Sequence, residues 1–160
     1  GGHPFRRIGL AHAAIAPYGV FKSRDGADIL ISIQNDREWR VLASEVLGDV
    51  ALADNPRFAT NLARVTNRAA TDALVANAFA KVDVAFLMQK LETADIAFAR
   101  VNDCALLSAH PHLRRISVDT PSGPAAMPAP APVFDDTRCY GPIPKLGEHT
   151  EKIRAEFLPR

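Results

Sequence analysis

The sequence predicts an α+β fold: a body of strands and helices with an irregular arm at each end. Three observations predict it. The Asp25-Gly26 pair separates two short apolar runs, which is a hairpin signal. Several stretches between residues 35 and 94 repeat apolar residues at helical spacing. The segments on either side of residues 20–120 are rich in Gly or Pro and follow neither period. The 160 residues, 48% apolar and 23% charged, suit one domain or one domain with an extension.

In chain order, residues 1–19 include "RIGLAHAAIAPYG", with glycines, a proline, His12 and Tyr18 but no period. In "VFKSRDGADILISI", Gly26 supplies the positive φ of a tight turn, and Ile29, Ile31 and Ile33 alternate as one apolar face. "NDREWRVLASEVLG" reads as a helix. Asn35 caps it with Glu38 three residues on, Trp39, Leu42, Ala43, Val46 and Leu47 form its inner face, and Gly48 ends it. Pro56 after Asn55 suits a first helical turn. One long helix is expected from Leu62 to about Ala80, with Val65, Ala69, Leu74 and Phe79 inward. Asp83 is expected to cap another, carrying Phe86, Leu87, Lys90, Leu91 and Ala94. Asp95–Val101 reads as a strand, and Asn102 or Asp103 starts a short helix that ends before His110-Pro111. "RRISVDTPSGPAAMPAPAPVF" alternates at Ile116 and Val118, turns at Pro121-Ser122-Gly123, and is then expected to be an extended connector, because its prolines cannot serve a central strand. "GPIPKLGEHTEKIRAEF" enters a short terminal helix.

Several function classes find no support. A net charge of +1 gives no electrostatic case for nucleic acid or anionic membrane, and no apolar run reaches the ~20 residues of a membrane span. No secretory leader is visible, and Cys104 and Cys139 lack metal-ligand spacing; a reduced pair in the cytoplasm is the expectation. His110-Pro111-His112 fits a loop better than a metal site. No phosphate loop, dinucleotide fingerprint or nucleophile elbow occurs, and Asp25, Asp36, Asp83 and Asp103 sit at turn or cap positions. The first residue is not Met, so a processed or trimmed polypeptide is expected.

Taken together and in order, "HAAIAPYGVFKSRDG", "ILISIQNDREW", "VLGDVALADNPRFATNLARVTNR", "IAFARVND", "HPHL" and "PKLGEHTEKI" resemble the C-terminal part of class III CoA-transferases. This family includes formyl-CoA transferase, carnitine CoA-transferase, the bile-acid-inducible CoA-transferases and α-methylacyl-CoA racemase. The resemblance is finest to enzymes acting on C4–C5 dicarboxylic acyl-CoAs of the mesaconyl, itaconyl or succinyl type. It implies a small α+β domain at 20–120, a linker from a large CoA-binding domain at 1–19, a Pro-rich return linker at 121–144, and a helix at 145–160 that rejoins the large domain. It also implies a homodimer of two interlocked subunits.

The resemblance further implies that the nucleophilic aspartate lies upstream, so no catalytic residue and no metal site is assigned to this chain. Coenzyme A and acyl-CoA would be substrates, with no permanently bound cofactor. Gly1 and Gly2 would be the end of a glycine loop shielding the reactive anhydride, or a terminal addition. His12 and Tyr18 would reach the acyl group, although a packed phenol and an exposed imidazole explain them equally well. Asn35 stands near a position where the racemase branch carries Glu; an amide cannot act as a proton-transfer base, which favours the transferase. A racemase-like isomerase and a stand-alone, non-catalytic CoA-binding or interaction module are the alternative readings.

Overall fold

The computed structural model describes residues 7–133 and 140–158. Chain contacts divide it into two units, one ending at Asn102 and one beginning at Asp103; the division falls inside the 20–120 span.

The first unit is built on a three-stranded antiparallel sheet, ordered β1 (Tyr18–Lys22), β2 (Asp28–Ser32), β3 (Phe98–Arg100). Alternation gives the sheet one buried face. Gly19, Phe21, Ile29 and Ile31 point inward, whereas Tyr18, Val20 and Leu30 lie on the other face, with Val20 paired to Leu30 and Leu30 to Ala99. Against the buried face pack α1 (Asp36–Val41), α3 (Arg68–Phe79) and α4 (Val84–Thr93), through Trp39, Val75, Phe79, Leu87 and Leu91. The Phe21 and Phe79 rings meet edge to face at 5.8 Å.

Local chemistry sets most boundaries. The Asn35 side chain accepts from the Glu38 N–H at 2.9 Å, as a cap should. After Val41 the helix widens into a π-helical turn, Leu42–Leu47, and Gly48 closes it in the left-handed region at φ 73°. The expected single helix from Leu62 to Ala80 is two helices, α2 (Asn61–Thr66) and α3. Asn67 interrupts them at φ −101° and ψ 32°, its side-chain amide donating to the carbonyls of Ala63 and Arg57. Of the residues expected inward there, Ala69 is exposed, and Arg64, Thr71 and Val75 are buried instead. Pro56 lies in an isolated turn closed by Asn55, not in a helix, because the chain restarts at Thr60, which caps α2.

Asp83 precedes α4, but its carboxylate is taken by Arg24 in a bidentate pair. The cap comes from the β1–β2 loop, where Asp25 accepts from the Val84 N–H at 3.1 Å and from the Ser23 hydroxyl at 2.6 Å.

The second unit contains α5 (Cys104–Ser108), β4 (Arg115–Thr120), β5 (Gly123–Pro128) and α6 (Thr150–Phe157). Asp103 caps α5, accepting from the Leu106 N–H at 2.8 Å. Where an extended connector is expected after Pro121, β5 pairs with β4 in a two-stranded hairpin. Pro124 and Pro128 share one parity of the ladder, so the alternate pairs Thr120–Gly123, Val118–Ala125 and Ile116–Met127 remain free to carry its bonds. Val118 is the only buried apolar residue among those described in this unit, while Leu146, Ile153, Phe157 and Leu158 are exposed. Cys104 is a free, exposed thiol, and Cys139 lies outside the described residues.

Candidate active site

The most organised polar structure in the first unit surrounds residues 12–17. The sequence predicts a connector here; the structure shows a strap held to α2 and α3. Asn61 grips it on both sides, accepting from the Ala16 N–H at 3.1 Å and donating to the Ala14 carbonyl at 2.8 Å. Arg64 is fully buried and donates to the carbonyls of Ala16 (2.7 Å) and Phe58 (2.9 Å) and to Asp36 (2.9 Å). Nη2 of Arg68 donates to the carbonyls of His12 and Ile15, each at 2.8 Å. Pro17, which follows a cis peptide bond, is buried, and its carbonyl accepts from the Ile33 N–H, so the strap leads directly into the sheet.

Two of the candidate residues come together on this strap. The His12 and Tyr18 rings lie 5.6 Å apart, tilted by 36°. Nδ1 of His12 accepts from the Ala14 N–H at 3.1 Å. Tyr18 also lines a cleft of about 500 Å³ with Ile8, Leu10, Val20, Asp72 and Val101. Burial raises the Asp72 carboxyl above its ordinary range, opposed by the neighbouring charge of Arg68. Oδ1 of Asp72 and Nη1 of Arg68 are buried and have no hydrogen-bond partner among the described residues. Asp28, on the same cleft, is paired with Lys22 at 2.7 Å.

Asn35 does not line this cleft. Its side chain caps α1, accepting from the Glu38 N–H and donating to the Glu38 carboxylate at 2.7 Å. Gly1 and Gly2 lie outside the described residues. Sequence reasoning missed Asn61, Arg64, Arg68 and Asp72. Their spacing of three, four and four was the available signal, since it places all four on one helical face.

A sequence model of CoA-transferase family III matches residues 1–150. The chain belongs to that family. It is similar to the succinate–glutarate CoA-transferase of Agrobacterium fabrum, with 30% identity over 98% of this chain and 40% of the relative. It is also similar to an acyl-CoA transferase of Fusarium pseudograminearum, with 32% identity over 94% of this chain and 35% of that protein. Among solved structures, a CAIB/BAIF family protein from Brucella suis superposes with a TM-score of 0.72 at 33% identity, over 97% of this chain and 41% of that one. The chain thus spans about two-fifths or less of the length of these relatives. No helix among the described residues is long and apolar enough to cross a membrane.

Proposed function

We propose that this chain is the C-terminal part of an enzyme that moves coenzyme A from an acyl-CoA to a free carboxylic acid, with C4–C5 dicarboxylic acids as the substrate class. The family match over residues 1–150 carries this reading, and relatives named for succinate and glutarate support the substrate class. The nucleophilic carboxylate comes from sequence upstream of Gly1, and the working enzyme is a homodimer that includes a larger CoA-binding domain. The carboxylate attacks the thioester carbonyl and expels the CoA thiolate, leaving a mixed anhydride. The thiolate returns to the enzyme's own carbonyl and frees the first acid, and the second acid collects CoA by the reverse steps.

This chain contributes the binding of the acyl portion. The phenol of Tyr18 and the imidazole of His12 stand together beside the cleft and supply hydrogen bonds to the acyl carbonyl or the distal carboxylate. A charge-assisted, buried bond of this kind contributes about 1.5–3 kcal/mol. Asn35 caps a helix and offers no proton-transfer base, which favours transfer over racemisation.

The experiment is a mass-spectrometric assay of the natural polypeptide with succinyl-CoA and glutarate, itaconate, mesaconate or malate. New acyl-CoA is expected from at least one acid, and none from the 160-residue chain alone. Transfer by the chain alone would place a nucleophile among its twelve aspartates and overturn the assignment of that role upstream.

A further inference from the structure

We infer that Arg68 is a positioning residue that sets the ring of His12 through the backbone of the strap. The chain of contacts is short. Nη2 of Arg68 holds the carbonyls of His12 and Ile15, one on each side of Ala13 and Ala14. Asn61 holds the Ala14 carbonyl and the Ala16 N–H. With its flanks fixed, the Ala14 N–H turns back onto Nδ1 of His12. A ring nitrogen that accepts from an N–H presents its lone pair, so the neutral imidazole carries its proton on Nε2. The neighbouring Tyr18 ring supports the His12 ring at 5.6 Å. The outcome is an imidazole with its N–H on Nε2, held beside the Tyr18 ring, a donor suited to a carboxylate or a polarised carbonyl.

Arg68 performs this role in a way lysine cannot. A guanidinium nitrogen directs fixed, planar N–H bonds at two carbonyls at once, whereas an ammonium on a flexible stem reaches one without fixing the other. Arg68 touches neither the His12 ring nor, in this reading, the substrate. Its effect on the imidazole runs through the main chain alone.

The test has two arms, and only the second rests on the proposed function. In the first, nitrogen NMR of the His12 ring and hydrogen exchange of the Ala14 amide are followed in the 160-residue chain, at a pH where the ring is neutral. The wild type is expected to show a single Nε2–H tautomer and a protected Ala14 amide. Arg68→Gln is expected to give mixed tautomers and at least tenfold faster exchange at Ala14, with the amides of Ile31 and Val75 unchanged. Arg68→Lys is expected to be intermediate, and it serves alone if the Gln variant does not fold. An unchanged His12 tautomer in whichever variant folds overturns the inference.

In the second arm, kcat/KM of the natural polypeptide is compared for Arg68→Gln, His12→Gln and the double variant. Each single change is expected to lower it about tenfold, and the double change no further, because both act through one ring. Additive losses overturn the inference. Unchanged turnover with an unlocked ring would instead remove His12 from the substrate site and leave the positioning role intact.

Discussion

The guanidinium of Arg64 lies 5.1 Å from the centre of the Trp39 ring, and both side chains are fully buried. Stacking over an indole suits a flat cation, and the remaining edges of Arg64 satisfy Ala16, Phe58 and Asp36. One charge therefore joins the strap, α1, α2 and the core.

Replacing Arg64 with Ala leaves a cavity against Trp39, strips two carbonyls of their donor and leaves the Asp36 carboxylate only the Asn61 N–H. The expected loss is about 2–5 kcal/mol in urea denaturation, from the cavity and the unpaired carbonyls. Arg64→Met keeps the stem and much of the volume and is expected to lose less. A loss below about 1 kcal/mol for Arg64→Ala would show that the strap is held without it.

Asp72 should make stability fall as pH rises. Its carboxyl is raised above the unfolded value of 3.8 by burial, so between the two values the folded state holds more protons than the unfolded one. Asp72→Asn should therefore melt higher than wild type at pH 7, and the gap should close as pH falls below 3.8. A gap that does not change with pH would mean that burial of the charge is not its source.

Asp25 should have the opposite slope. Its carboxyl is lowered, chiefly by the Ser23 hydroxyl and also by the Val84 N–H, so its stabilising effect is present above 3.8 and disappears as pH drops through the lower folded value. Asp25→Asn should lower the melting temperature at pH 7 and match wild type in strong acid. Equal melting at pH 7 would show that the charge of Asp25 adds nothing to the cap of α4 in solution.

Limited proteolysis should separate two kinds of irregular chain. Residues 14–19 are expected to resist cleavage, because Asn61, Arg64 and Arg68 bond their backbone and Ala16 and Pro17 are buried. The first cuts are expected in 129–133 and 140–147, where the described side chains are almost all exposed. Early cleavage between Ala14 and Tyr18, found by mass spectrometry of the fragments, would contradict the clamp.

The hairpin, the Asn35 and Asp103 caps and the Gly48 stop could be read from the sequence because each depends on residues within a few positions of one another. The strap could not. Its own residues are small and without period, and what orders them lies some 45–56 positions later, in an asparagine and two arginines that resemble ordinary surface residues. β5 was hidden for a different reason: its prolines fall on alternate pairs of a two-stranded ladder, where a missing N–H is tolerated. Of the site, His12 and Tyr18 are legible in the sequence, but their contact and the cleft beside Tyr18 depend on the fold returning the chain onto α3.

The clamp on the strap has an evolutionary consequence. Asn61, Arg64 and Arg68 hold carbonyls and an amide N–H, which every residue type but proline provides, and none of these bonds involves a side chain of residues 13–15. Ala13 and Ala14 are exposed as well. Sequence drift at these two positions should be nearly neutral for the path of the backbone, while the ligating positions on α2 and α3, far away in the chain, stay under constraint. The segment nearest the His12–Tyr18 pair can thus change its side chains among relatives, and with them the rim presented to an acyl group, without losing its place in the fold.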